Sequence, residues 1–155
     1  MPSNEIGVTA ASEGLDGASW NVVGHQYTPK LCTENVMIWH AAIPAETFVP
    51  PHIHPTQDEW IMMVNGTLEV EFGHDQGPPT VKSAGPGDLI RMPRGIAHGI
   101  FNRSGASAEC VFGVAPSRKL FDLFGALDGV TDPDELVRIS ALHEVDFLPP
   151  PPDAG

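Results

Sequence analysis

The feature that most restricts the fold of this chain is a succession of short β-rich stretches between Asn21 and Ala115. Each is bounded by Pro, Gly or Asn, and the nine stretches are NVVGHQY, NVMIWHAAI, TFVPPHIH, EWIMMV, TLEVEF, TVKSA, DLIRM, HGIFN and ECVFGVA. Strands of this length and spacing are typical of β-sandwiches and barrels. The 16 Gly and 16 Pro are spread along the 155 residues, which suits a turn-rich fold. We therefore predict an all-β barrel over residues 21–116, preceded by an N-terminal arm, residues 1–20.

The pattern changes after the β-rich region. Residues 117–148 are predicted to form a short helical appendage, because apolar residues from Leu120 to Leu127 recur near helical spacing. Asp132, followed by proline, is placed like the cap of a second helix. Residues 149–155 are Pro-rich, and we interpret them as a tail.

Charge and cysteine content exclude several classes of function. The chain has 20 acidic and 8 basic residues, and its net charge of -12 would repel nucleic acid and anionic membranes. Cys32 and Cys110 are too few for a disulfide framework, which favours free thiols in a reducing compartment. The first residues do not resemble a signal peptide, and no stretch has the roughly 20 apolar residues of a membrane span. These observations predict a cytoplasmic protein whose partner is a small molecule.

Three histidines and a glutamate form the candidate site. His52 and His54 are two residues apart, so in a strand their side chains share one face, with Cα atoms about 6 to 7 Å apart. Glu59 follows shortly after, at the start of the next β-rich stretch, and His98 is a distant third imidazole. Asp58 is the rival carboxylate, but a shift of one residue places a side chain on the other face of a strand. We therefore predict that His52, His54, Glu59 and His98 bind one metal ion, since a buried carboxylate among imidazoles is costly without a cation.

The spacing of these residues resembles the two motifs of the cupin superfamily. The first motif is read as His52-Ile53-His54, four residues, Glu59, six residues, Gly66, and the second as Gly87, five residues, Pro93-Arg94-Gly95, two residues, His98, three residues, Asn102. One position departs from the pattern, because the first motif usually begins with a glycine where this chain has Glu46. The resemblance covers roughly residues 34 to 115 and implies a small antiparallel jelly-roll barrel with the metal inside its mouth.

The donor set permits several metals and several reactions. Three imidazoles and one carboxylate without a thiolate suit Fe, Mn, Ni, Co or Zn, and leave positions open for substrate. On strand parity Phe48, Ile61, Met63 and Ile100 should share the ligand face, and with Phe112 they are the candidate walls of a substrate pocket.

Three functions are compatible with this sequence. Its helical end and VDFLPP tail resemble single-domain cupins related to quercetin 2,3-dioxygenases, which implies a dioxygenase acting on a small aromatic or enolic compound, with Glu59 both as ligand and as catalytic base. The first alternative is a non-redox isomerase, cyclase, decarboxylase or lyase, in which Tyr27, His40 or Arg91 could carry protons or clamp an anion. The second is a non-enzymic binding protein. Exposed strand edges and Pro-rich ends further predict a homodimer.

Overall fold

The computed structural model describes residues 5–149. It contains eleven β-strands and two α-helices: β1 (Trp20–Val22), β2 (His25–Cys32), β3 (Met37–Ile43), β4 (Phe48–Ile53), β5 (Asp58–Asn65), β6 (Leu68–Phe72), β7 (Thr80–Ala84), β8 (Leu89–Met92), β9 (His98–Phe101), β10 (Ala108–Ala115), α1 (Leu120–Leu127), α2 (Pro133–Leu142) and β11 (Asp146–Phe147). The predicted antiparallel jelly-roll barrel with a C-terminal helical appendage is confirmed.

The strands form two antiparallel sheets that face each other. The order is β1-β2-β3-β10-β5-β8 in the first, here called sheet A, and β11-β4-β9-β6-β7 in the second, sheet B. Their apolar residues alternate with polar ones, as the burial of Met37, Trp39, Ala41 and Ile43 along β3 shows. This period of two places one face of each sheet in a common core.

The barrel is open along one side. β7 is the last strand of sheet B and β8 the last strand of sheet A, and the two are not hydrogen-bonded neighbours. The turn that connects them contains Gly87, whose φ of 87° is available to glycine at little cost. We call the gap between these two edge strands the seam.

A turn that joins the two sheets begins the strand that carries two of the histidines. Between β3 and β4, Glu46 has a φ of 62°. Asn102 holds this turn, because its Nδ2 donates to the carbonyl of Ile43 at 3.0 Å and its backbone carbonyl accepts from the Glu46 amide at 2.9 Å. The motif position at which glycine is usual is therefore one that requires a left-handed backbone.

The helical segment covers one end of the barrel. The buried face of α1 consists of Leu120, Leu123, Phe124 and Leu127. Asp132 caps α2, since its Oδ1 accepts from the Asp134 amide at 3.0 Å. The chain then returns to sheet B as β11, which pairs with β4 and was not predicted from the sequence.

The segment that precedes the barrel is partly ordered against it. Lys30 of β2 donates from Nζ to the carbonyl of Ala10 at 2.8 Å, and Thr9 Oγ1 donates to the Lys30 carbonyl at 2.8 Å. The rest of the predicted arm, residues 1–4, and residues 150–155 of the predicted tail lie outside the described residues. Within residues 5–149, no helix is long and apolar enough to cross a membrane.

Candidate metal centre

Four buried side chains from both sheets converge at one point. His52 lies on β4 with His54 just beyond it, His98 lies on β9 and Glu59 on β5. One ligand atom from each lies within 4.8 Å of all the others. The structure therefore brings together the four residues singled out by the sequence, and this cluster could hold a metal ion.

Each imidazole is oriented by a hydrogen bond at Nδ1. His52 Nδ1 donates to the carbonyl of Pro50 at 2.8 Å, and His98 Nδ1 donates to the carbonyl of Ile96 at 3.1 Å. His54 Nδ1 lies 2.8 Å from Oε1 of Gln57. Because these acceptors fix the proton on Nδ1, the Nε2 lone pairs remain available for a metal.

Gln57 was missed by the sequence analysis. Its Nε2 donates to the carbonyls of Pro116 at 3.0 Å and Ser117 at 2.8 Å, while its Oε1 accepts from His54. The side chain therefore links a ligand to the end of the barrel. Nothing in the sequence indicates this, because both carbonyls come from a segment about sixty residues away.

Glu59 supplies the only negative charge in the cluster. Its Oε1 lies 2.9 Å from His98 Nε2, and its Oε2 lies 3.7 Å from His54 Nε2. Burial alone would raise the pKa of Glu59, but attraction to His54 and the hydrogen bond with His98 lower its pKa to about 2. Burial, followed by repulsion from His98 and His54, lowers the pKa of His52 well below its usual value.

This arrangement provides a test of whether a metal fits. With its proton held on Nδ1, His98 presents an Nε2 lone pair to a carboxylate oxygen at 2.9 Å. The contact is a hydrogen bond only when His98 also carries a proton on Nε2; without that proton the two acceptors repel each other unless another cation lies between them. A divalent cation would satisfy all four donors at once, so the residues present fit a metal. The donors themselves do not select among Fe, Mn, Ni, Co and Zn.

Asp58 does not contribute to the cluster. Its carboxylate faces the surface and forms an ion pair with Arg94 Nε at 3.2 Å. Hydrogen bonds from the Arg94 side chain and backbone lower the pKa of Asp58. Strand parity thus separates two adjacent carboxylates, one toward the metal centre and one toward solvent.

A cavity of about 50 Å³ lies between the cluster and the helices. His52, His54 and Glu59 reach it from the barrel, and its other walls are mostly apolar side chains from the barrel, α1, α2 and the residues after α2. Ile100 and Phe112, two of the residues predicted to line a substrate pocket, are among these walls. The helical segment therefore covers the metal centre.

Three of the other predicted pocket residues lie elsewhere. Ile61 and Met63 are buried in the core but do not line the cavity. The expectation for Phe48 was wrong: its side chain is 49% exposed and stacks on Phe101. A register shift between Val49 and His52 breaks the strand parity on which that prediction depended, so Val49 lines the cavity instead.

The cavity wall also contains polar groups whose role the sequence left open. Tyr27 lines the cavity, and its hydroxyl lies 3.4 Å from Nδ1 of the buried His25. Burial and the charge of Glu59 raise the pKa of Tyr27 well above its usual value. Among residues 5–149, Trp39 Nε1 and Ser140 Oγ, on the same wall, have no hydrogen-bond partner.

The other two residues considered as proton carriers lie away from the cavity. His40 Nε2 is 2.6 Å from Glu109 Oε1, and the His40 side chain is 31% exposed. Arg91 is exposed on β8. Of the three residues, only Tyr27 lines the cavity beside the cluster.

Comparisons with known proteins agree with this architecture. Residues 39–114 match the family model described as the cupin domain. Germin-like protein 3-7 of Oryza sativa subsp. japonica is 31% identical over 134 residues, which cover 82% of this chain but only 57% of that protein.

Two solved structures share the fold. An RmlC-like cupin from Shewanella frigidimarina NCIMB 400 has a TM-score of 0.63 at 14% identity, covering 76% of this chain and 96% of that one. KdgF from Halomonas sp. has a TM-score of 0.59 at 21% identity, covering 73% and 99%. At these identities the likeness concerns the fold.

Proposed function

Because this chain belongs to the cupin superfamily and has a buried His/Glu cluster that could bind a metal, we propose that it is a metal-dependent dioxygenase acting on a small aromatic or enolic compound. The observation that carries the proposal is the donor set itself: three imidazoles oriented through Nδ1 and one carboxylate, beside an apolar cavity. When bound, a divalent metal would polarise an oxygen ligand and offer open positions for substrate and dioxygen.

The protein's own residues would act by orientation and proton transfer. Hydrogen bonds at Nδ1 keep the imidazoles in place, and Gln57 restrains His54. As a metal ligand Glu59 would be in its carboxylate form, and it would accept the proton of a substrate hydroxyl whose acidity the metal has increased. The apolar residues of α1 over the cluster would limit access of water.

The size of the helix-covered cavity supports the idea that dioxygen and the organic substrate lie on different sides of the metal. About 50 Å³ is sufficient for a diatomic molecule or a few waters, and it is well below the roughly 300 to 1,000 Å³ of pockets that bind organic ligands. We propose that dioxygen occupies this apolar cavity. The organic substrate then requires space on another side of the cluster.

Oxygen uptake is the direct test. Protein loaded separately with Fe(II), Mn(II) and Ni(II) is incubated with a panel of catechols, flavonols and enediols in an oxygen electrode. We expect substrate-dependent uptake in at least one loaded form and none in Glu59→Gln, with dioxygen and substrate consumed in a ratio of one to one. Turnover under strict anaerobiosis would contradict the proposal.

A non-redox isomerase, cyclase, decarboxylase or lyase is the second candidate, and Tyr27 favours it. Tyr27 lines the cavity and its hydroxyl can donate to His25 Nδ1, while His25 Nε2 lies 2.9 Å from Thr47 Oγ1. This chain of polar groups could deliver a proton without any need for dioxygen. Anaerobic product formation that is lost in Tyr27→Phe would establish this reaction class, and absence of turnover in both atmospheres would favour a non-enzymic binding protein.

A further inference from the structure

A second and larger cavity lies on the other side of the metal centre. It occupies about 550 Å³ along the seam between β7 and β8, and its walls include Val70, Phe72, Ile90 and Met92. His98, the cluster residue that does not line the helix-covered cavity, forms part of its wall. This volume is within the range of pockets that bind small organic molecules.

Strand registers show that these walls belong to the inner surface of the barrel. Met92 is paired with the ligand Glu59 across β8 and β5. Phe72 is paired with the ligand His98 across β6 and β9. The seam cavity therefore borders two of the four cluster residues through their strand neighbours, and a ligand held there would be next to the metal.

The edge of the seam cavity carries the ammonium group of an exposed lysine. Lys82 is paired with Val70 and lies two residues from Ala84, so it shares the inner face with these buried residues. Its Nζ lies 6.0 Å from the ring centroid of Phe72, and no carboxylate of residues 5–149 forms an ion pair with it. Lys82 itself is exposed, so its ammonium group lies at the solvent-facing edge of the cavity, where a ligand anion could reach it.

One acidic residue, Asp88, also lines the cavity, in the turn between β7 and β8, and it keeps its negative charge. Asp88 Oδ2 accepts from the Gly85 amide at 2.9 Å within the turn between β7 and β8. Arg91 also borders the seam, but strand alternation puts its side chain on the opposite face from the buried Ile90 and Met92. Lys82 and Arg91 both line the cavity, and Lys82 is the one that lies on the inner face of its strand.

We propose that the seam is the binding site of the organic substrate, and that this substrate is a small amphipathic anion: an aromatic or other apolar body that carries a carboxylate. The carboxylate pairs with Lys82, the body lies against Phe72, Ile90 and Met92, and the opposite end reaches the metal beside His98. That this ligand is a substrate rests on the proposed function, whereas its binding at the seam can be measured without turnover.

The test uses a matched pair of probes, 4-hydroxybenzoate and its uncharged methyl ester. Each is titrated into metal-free and zinc-loaded protein, and methyl NMR signals are followed in two groups. The seam group is Val70, Ile90 and Met92, and the helix-side group is Val49, Leu123 and Val145.

We expect 4-hydroxybenzoate to shift the seam group and to bind wild type about 5-fold more tightly than Lys82→Met, as for a partly exposed charge pair in an apolar setting. The ester should bind both proteins equally. Lys119→Met is the control, because it removes the same charge at the start of α1, on the helical side of the barrel. Ala84→Leu, which fills the seam with a larger side chain, should weaken both probes.

Several results would overturn the proposal. Shifts confined to the helix-side group would place the ligand in the covered cavity. If Lys82→Met and Lys119→Met weaken the binding of 4-hydroxybenzoate equally, the effect depends only on the overall charge of the protein. Absence of saturable shifts for both probes would also contradict it. Because the titration is also made on metal-free protein, these failures are separate from failure of the metal or the dioxygenase activity.

Discussion

Replacing Glu46 with glycine should stabilise this protein. Glu46 adopts a φ of 62° in the turn that leads into β4. A left-handed backbone costs an L-residue about 1 to 2 kcal/mol, whereas glycine adopts it freely. Glycine also has greater freedom in the unfolded chain, which costs about 0.5 to 1 kcal/mol. The net expectation is a gain of about 0.5 to 1 kcal/mol in the free energy of unfolding.

Other contributions of Glu46 are small, so the backbone effect can be isolated. The side chain is exposed, and the hydrogen bond from the Glu46 amide to the Asn102 carbonyl does not depend on it. Glu46→Ala is the matched control, because it removes the same carboxylate but keeps a Cβ atom. Any electrostatic gain from reducing the net charge should therefore appear equally in both variants.

The assay is urea unfolding of chelator-treated protein, followed by tryptophan fluorescence. We expect Glu46→Gly to raise the transition midpoint at an unchanged m-value, and to raise the melting temperature by roughly 1 to 4 °C for a chain of this size. Glu46→Ala should stay near wild type. If the alanine variant is as stable as the glycine variant, backbone strain at this turn is not the cause.

Three further predictions concern the cluster, the core and the surface. His98→Ala should abolish stoichiometric metal in protein purified without chelator, and unchanged metal content by elemental analysis would reject its role as a ligand. Burial lowers the pKa of His25 from its usual 6.5 to about 4, so the folded state disfavours its proton. The resulting contribution to the free energy of unfolding, about 3 kcal/mol, is complete above pH 6.5 and is lost as pH falls to 4. His25→Gln should therefore show a flatter stability profile in urea titrations from pH 7 to pH 4. We propose that two copies of the chain join through the outer face of sheet A, where half-exposed Met62 is paired with half-exposed Leu89. Met62→Lys should then convert a dimer to a monomer in light scattering. A wild-type monomer at micromolar concentration would contradict this proposal.

The sequence predicts three members of the cluster, His52, His54 and Glu59, from local strand geometry, and His98 from the spacing that resembles the second cupin motif. His52 and His54 share a face for reasons of strand geometry, and adjacent Asp58 and Glu59 separate for the same reason. Predictions fail where that geometry is interrupted. The register shift after Val49 exposes Phe48, and no single residue in the sequence predicts a bulge at that point.

Features that depend on distant parts of the chain could not be predicted in this way. Gln57 contacts backbone carbonyls beyond β10, and β11 pairs with β4 across nearly a hundred residues. The seam is likewise a property of two sheet edges rather than of any motif. Lys82 in the sequence is an ordinary strand lysine, and only the pairing of β7 with β6 shows that it faces inward.

The location of the metal centre also has a consequence for stability. The three histidines lie in or next to sheet B, whereas Glu59 lies on sheet A, so a bound ion would join the two sheets near the end covered by the helices. At the seam no hydrogen bonds connect the edge strands β7 and β8, and the apolar contacts there are interrupted by a cavity of about 550 Å³. Metal binding should therefore stabilise the folded protein by an amount that grows with the logarithm of the free metal concentration above the dissociation constant, and restrict relative motion of the sheets on both sides of the cluster. By the same reasoning, a variant that retains three histidines but lacks the Glu59 carboxylate would keep the ion on one sheet and lose this connection.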